Sequence, residues 1–110
     1  MIEIQIRDRN ADISGTLRAH AEEKLGRALA PFGTRIARVI VRFSSDEDEG
    51  ALESRCQIHI GLRSRSARAE GTGVDSFAAI DHACERLSRA IAQVLERERV
   101  WNAAETARVP

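Results

Sequence analysis

The chain has few aromatic rings. It contains no tyrosine, three phenylalanines and one tryptophan, so a recognition surface of stacked rings has little to draw on. Its two cysteines, Cys56 and Cys84, stand 28 positions apart. They form no CxxC pair and no metal-ligand spacing, and two thiols do not make a disulfide scaffold. Buried, reduced cysteines are the expectation. No apolar run approaches the ~20 residues of a membrane helix. The start, Met1-Ile2-Glu3-Ile4, lacks a basic segment followed by an apolar one, so no signal peptide is expected. Collagen, coiled coil and membrane protein are set aside on the same grounds. An excess of charge is also lacking, because 17 basic residues balance 17 acidic ones. Global charge therefore implies no nucleic-acid partner, and any electrostatic site must come from local sorting.

What remains has the balance of a soluble globular domain: 110 residues, 43% apolar and 31% charged. A chain of this size buries roughly two thirds of the surface that its unfolded form exposes, enough for one core. Residues 2–7 alternate, with Ile2, Ile4 and Ile6 on one side and Glu3, Gln5 and Arg7 on the other, which predicts a half-buried strand. Ser14 can cap a helix whose apolar stripe is Leu17, Ala21, Leu25, Ala28, Leu29 and Phe32, closed by Pro31 and Gly33. A second strand is expected at 36–43, with Val39, Val41 and Phe43 inward and Arg38, Ile40 and Arg42 outward. Residues 44–50 read as an acidic loop. A third strand follows at 55–62 and a weaker fourth at 65–70, with Gly71-Thr72-Gly73 as a loop. Asp75 or Ser76 opens the longest helix, in which Phe77, Ile80, Cys84, Leu87 and Ile91 repeat at helical spacing to about residue 99. Residues 100–110 read as a loose tail. The order βαβββα predicts a single α+β domain over 1–99, with both helices on one face of a four-stranded sheet and the other face wet.

Catalytic patterns are absent. His20, His59 and His82 make no HxxxH or HExxH arrangement, and each is expected as a solvated surface histidine. No GxSxG, P-loop or GxGxxG motif occurs. The carboxylates Asp46, Glu47, Asp48 and Glu49 lack EF-hand spacing. The sequence therefore predicts no enzyme, metal, cofactor or small-molecule substrate.

Charge is sorted locally. Arg35, Arg38 and Arg42 stand in an acid-free stretch, as do Arg55, Arg63, Arg65 and Arg68, and five acids separate the two. Strand parity puts Arg7, Arg38, Arg42, Arg55 and Arg68 on the open face, against Glu3 and Glu70. On the first helix Lys24 and Arg27 share a flank with His20, and Arg18 lies opposite. On the second, Arg86, Arg89 and Arg97 cluster toward solvent, with Asp81, Glu85 and Glu96 on the flank. Such patches suit phosphate contacts, which place a protein on RNA without reading sequence. Base stacking on the open sheet face is excluded, because Phe32, Phe43 and Phe77 point to the core and Trp101 lies in the tail.

Several local stretches resemble one family. They are Asn10-Ala11-Asp12-Ile13-Ser14-Gly15-Thr16-Leu17-Arg18, then Glu23-Lys24-Leu25, and above all Asp75-Ser76-Phe77-Ala78-Ala79-Ile80-Asp81, followed by Arg86-Leu87 and Arg89. The pattern from Ile2 to about Arg99 is similar to the ribosome hibernation-promoting factor and ribosome-associated translation inhibitor family (sigma-54 modulation protein family), in its short form. The resemblance implies a fold like that of double-stranded-RNA-binding domains. It further implies a cytoplasmic protein, monomeric off the ribosome, that occupies the decoding channel of the small subunit and blocks messenger and transfer RNA under stress or in stationary phase. Carried over position by position, the groups that meet ribosomal RNA are Arg18, Lys24, Arg27, Arg86 and Arg89. Longer members carry a second, dimer-forming domain, for which this sequence to Pro110 has no counterpart. The family's last helix continues in a lysine-rich turn, where this chain has Gln93, Val94 and Leu95. From 76 to 99 that helix is neutral, with four arginines against four acids. The neutral helix and Val100-Trp101 motivate an alternative, a protein-interaction module on the same fold without ribosome binding.

Overall fold

A computed structural model describes residues 3–9, 12–48 and 51–108, and their side chains apart from those of residues 3, 46–48, 51 and 101–108. Strand β1 is Glu3–Asp8, helix α1 Gly15–Leu29, β2 Ile36–Asp48, β3 Ala51–Leu62, β4 Ser66–Gly73 and helix α2 Ser76–Arg108. The sheet runs β1-β2-β3-β4. Its first pair is parallel and the other two are antiparallel. A parallel pair needs a crossover, and α1 supplies it. The expected α+β order βαβββα is the one observed.

The local chemistry explains the boundaries. The Ser14 hydroxyl accepts from the Leu17 amide at 3.1 Å, occupying one of the orphan donors of the first turn of α1. Past Leu29 the chain tightens into a 3-10 turn over Ala30–Arg35, with Pro31 in its first turn. Gly33 there takes φ 51°, a left-handed conformation that redirects the chain into β2. Asp75 caps α2: its carboxylate accepts from the Ala78 amide at 2.8 Å. Leu17, Ala21, Leu25 and Leu29 of α1, and Ile80, Leu87 and Ile91 of α2, bury one stripe each against the inward residues Val39, Val41, Phe43, Ile58 and Ile60.

Three expectations are corrected. The acidic stretch 44–50 is no loop over most of its length. β2 continues to Asp48 and β3 starts at Ala51, with Ser44 opposite Arg55 and Asp46 opposite Glu53. Polar residues on both sides of this arm erase the alternation that marks a half-buried strand, and backbone pairing needs no such pattern. Glu49 and Gly50, also assigned to that loop, lie outside the described residues, as do the side chains of Asp46, Glu47 and Asp48. Gly71-Thr72-Gly73 closes β4 rather than forming a loop. A Cβ at Gly71 would stand 2.3 Å from the Ala83 nitrogen and 2.4 Å from the Ala79 oxygen, so glycine is needed where α2 lies on the strand. Finally, residues 100–108, expected as a loose tail, continue α2 as helix. The side chain of Trp101 is outside the described set.

Candidate nucleic-acid interface

The helix layer holds the five residues singled out for RNA contact, and the structure sorts them into three places. Lys24 and Arg27 sit on the flank of α1 that meets α2. Lys24 Nζ lies 3.9 Å from Asp81 Oδ1, and Arg27 Nη2 lies 2.8 Å from Glu23 Oε1 one turn back. A shallow groove of about 400 Å³ runs along this seam, lined by Lys24, Arg27 and Ala28 from one helix and Asp81, Cys84, Glu85 and Ser88 from the other. Its walls therefore carry cations on α1 and carboxylates on α2. Arg86 stands on the far side of α2, where its guanidinium donates to the Glu70 carbonyl of β4 at 2.9 Å. Arg89 is exposed on the outer surface of α2. Arg18 is exposed on the flank of α1 turned away from Lys24. Lys24 and Arg27 are thus brought together, Arg86 and Arg89 stand elsewhere on α2, away from that seam, and Arg18 stays apart.

One histidine differs from expectation. His20 is half-buried and not a free surface group. Its Nε2 donates to Asp81 Oδ1 at 2.7 Å, and its ring meets Phe77 edge-on with centroids 5.2 Å apart. This bond ties α1 to α2, and Asp81 becomes the shared anchor of His20 and Lys24. His82 is exposed, yet its Nδ1 donates to the Thr72 carbonyl at 2.5 Å, pinning the start of α2 to β4. His59 lies on the open sheet face as expected. Burial, then the charges of Arg68 and Arg42, hold its pKa below the ordinary imidazole range.

Nucleophilic chemistry finds no support. Burial pushes the Cys56 thiol far up, and burial with the charge of Asp81 pushes Cys84 up to about 11, so neither is a thiolate near neutral pH. Among the described residues no three His, Cys, Asp or Glu side chains converge as a metal site. No helix among them is long and apolar enough to cross a membrane.

The open face of the sheet is the second charged surface. Cross-strand register places Arg7 opposite Arg42, Ile40 opposite His59, His59 opposite Arg68, and Gln57 opposite Glu70. The one described carboxylate within this array, Glu70, is engaged by Arg55 Nε at 3.4 Å and by Gln57 Nε2 at 3.4 Å.

A two-layer α+β domain with cations on its helices is a general scaffold, and comparison with known proteins narrows it. The chain belongs to the sigma 54 modulation protein / S30EA ribosomal protein family, whose model matches residues 4–99. Among solved structures it is similar to a ribosomal subunit interface protein from Coxiella burnetii. That likeness has 22% identity over 87% of this chain and 99% of that one, with a TM-score of 0.76. It is also similar to the N-terminal domain of Thermus thermophilus Protein Y, at 23% identity over 86% of this chain and 99% of that one, with a TM-score of 0.63. At these identities the likeness is one of fold. No protein with a curated description matches significantly.

Proposed function

We propose that this domain binds the small ribosomal subunit through its RNA and represses translation by occupying the decoding channel, excluding messenger and transfer RNA. The observation that carries the reading is the family match over residues 4–99, which spans both helices bearing Arg18, Lys24, Arg27, Arg86 and Arg89. Phosphate contact by these five residues supplies affinity and placement, and steric occupancy supplies inhibition, so no chemical step is involved. The protein acts as a cytoplasmic monomer that meets its partner under stress or in stationary phase.

The test is co-sedimentation with purified small subunits at about 50 and about 200 mM salt. Salt-weakened pelleting that is lost in Arg86→Glu/Arg89→Glu, with the fold intact, is expected. Failure to pellet at the lower salt overturns the reading. The charge balance of α2 favours one rival, a protein-interaction module without ribosome binding, and that second result is the one it predicts.

A further inference from the structure

Among the described residues each layer holds paired and unpaired cations, and on the sheet Arg55 has Glu70 at 3.4 Å. Lys24 and Arg27 each have a carboxylate within 4.0 Å. Arg42 and Arg68, exposed on the uncovered face of the sheet, have none within that distance among the described residues. We infer that this open face is a second RNA-contact surface, on which Arg7, Arg42 and Arg68 take phosphodiester oxygens. The inference rests on the proposed function for the identity of the RNA, which is then ribosomal.

The placement is set by register. Arg7 on β1 lies opposite Arg42 on β2, and Arg68 on β4 lies opposite His59 on β3. At about 4.8 Å between strands, the three guanidiniums span the sheet over roughly 14 Å. Like charges directly opposite one another destabilise a sheet. The Arg7–Arg42 pair therefore gives the fold nothing that an acid at either position would not better, and an anionic ligand turns the same pair favourable. Acid also stands on this face: Glu70 shares the cross-strand row of Arg7 and Arg42, where Arg55 and Gln57 engage it, and Asp46 pairs with Glu53 farther along the β2–β3 arm.

The chemistry of the face selects among anions. Guanidinium forks match phosphate oxygens two at a time. No phenylalanine stands here, because Phe43 is buried and Phe32 and Phe77 pack against the core. The contacts therefore go to the backbone and not to stacked bases. Ile40 is the single large apolar side chain in the array, too little for the apolar centre of a protein interface.

The experiment uses the full chain, ribosomes and a labelled oligouridine as probes, and Arg42→Glu/Arg68→Glu beside Arg86→Glu/Arg89→Glu. Arg42→Gln/Arg68→Gln serves as the milder version, and circular dichroism verifies the fold of each. Loss of two phosphate contacts lowers the salt slope by about 2, so between about 50 and about 200 mM salt the wild type should lose roughly ten-fold more affinity than the sheet variant. Ribosome binding by the sheet variants equal to wild type, with loss in the helix variant, overturns the inference and leaves the proposed function standing. If the wild type ignores ribosomes, the proposed function falls. Oligouridine then decides the inference: binding that needs Arg42 and Arg68 sustains it, and binding indifferent to them, or none, overturns it. Sheet-dependent capture of a polyglutamate peptide as tight as that of the RNA overturns the choice of RNA over an acidic protein.

Discussion

Alanine at Gly71 should cost this fold far more than a single methyl group suggests. The added Cβ would sit 2.3 Å from the Ala83 nitrogen, 2.4 Å from the Ala79 oxygen and 2.9 Å from the His82 carbonyl carbon. All three are backbone atoms of α2, so no rotamer change can relieve the clash, and the helix must lift by about 1 Å. Lifting it loosens Ile80, Cys84 and Leu87, which are buried against the sheet. Overpacking of this kind costs about 1–3 kcal/mol and sometimes more, and the rigidity of the neighbours argues for the upper end. Relief of glycine's backbone entropy in a strand returns about 0.5–1 kcal/mol. The net loss is about 2–3 kcal/mol, or roughly 10–20 °C in Tm for a domain of this size. Gly61→Ala is the matched control. It lies on the next strand with its nearest neighbour, the Arg38 Cβ, at 3.4 Å, and should be neutral or slightly stabilising. Thermal and urea unfolding followed by circular dichroism reads both. A Gly71→Ala protein within about 0.5 kcal/mol of wild type would refute the argument that α2 rests on bare strand backbone.

Ser14→Ala removes the hydroxyl that accepts from the Leu17 amide, and should cost about 1 kcal/mol in urea unfolding, with Ser14→Asp restoring it. Both thiols have folded pKa values raised above the ordinary 9.0, so their stabilising effect is complete below pH 9 and is lost as pH rises. Stability should therefore fall as pH rises above 9, and with no tyrosine in the chain a urea titration across pH 8–11 reads it with little interference. A flat profile would contradict the burial of Cys56 and Cys84. For His59, removing one of the two arginines that depress it, by Arg68→Ala, should raise its pKa toward 6.5 in an NMR titration, while Arg65→Ala should leave it unchanged. The two double substitutions act on opposed faces, so their fold-losses in ribosome affinity should roughly multiply in the quadruple variant. A quadruple variant no weaker than the weaker double would mean that one face alone meets RNA.

The sequence made most of this architecture legible because the core obeys two simple periods. Val39, Val41 and Phe43 alternate, as do Ile58 and Ile60, and Leu17, Ala21, Leu25 and Leu29 recur every four residues. The order of elements and the covered face follow from those. The misreadings fall where backbone pairing or close approach decides the structure and no apolar pattern signals it. The arm from Ser44 to Asp48 is held by its ladder with β3. Gly71 and Gly73 look like turn residues, yet they are strand residues kept small by the helix above them. The helical tail shows the same limit, because residues 100–108 hold α-helical backbone after the core stripe ends at Val94 and Leu95. For the candidate site, the sequence located the cations and missed their partners. Asp81 links His20 and Lys24 across 61 and 57 positions of chain, a contact that no spacing rule reaches.

Those partners change what the cations can do. A lysine or arginine already beside a carboxylate gains less from a phosphate, because the phosphate must compete with the acid or sit near its negative charge. Lys24 beside Asp81 and Arg27 beside Glu23 are in that position, and Glu85 adds to the acidic belt along their seam. Arg42 and Arg68 have no carboxylate within 4.0 Å among the described residues. A domain of net charge zero can therefore still bind RNA, provided part of its acid is spent within the helix layer, on Arg55 and on the hairpin arm, and some arginines on its outer surfaces keep no carboxylate within 4.0 Å among the described residues. With cations left on both outer surfaces, the two layers suit a cleft between RNA segments better than a flat surface, where one layer would have nothing to touch. On the inference drawn above, the sheet arginines, which the sequence placed on a basic open face but outside the five-residue site, add to the affinity that the helix cations supply.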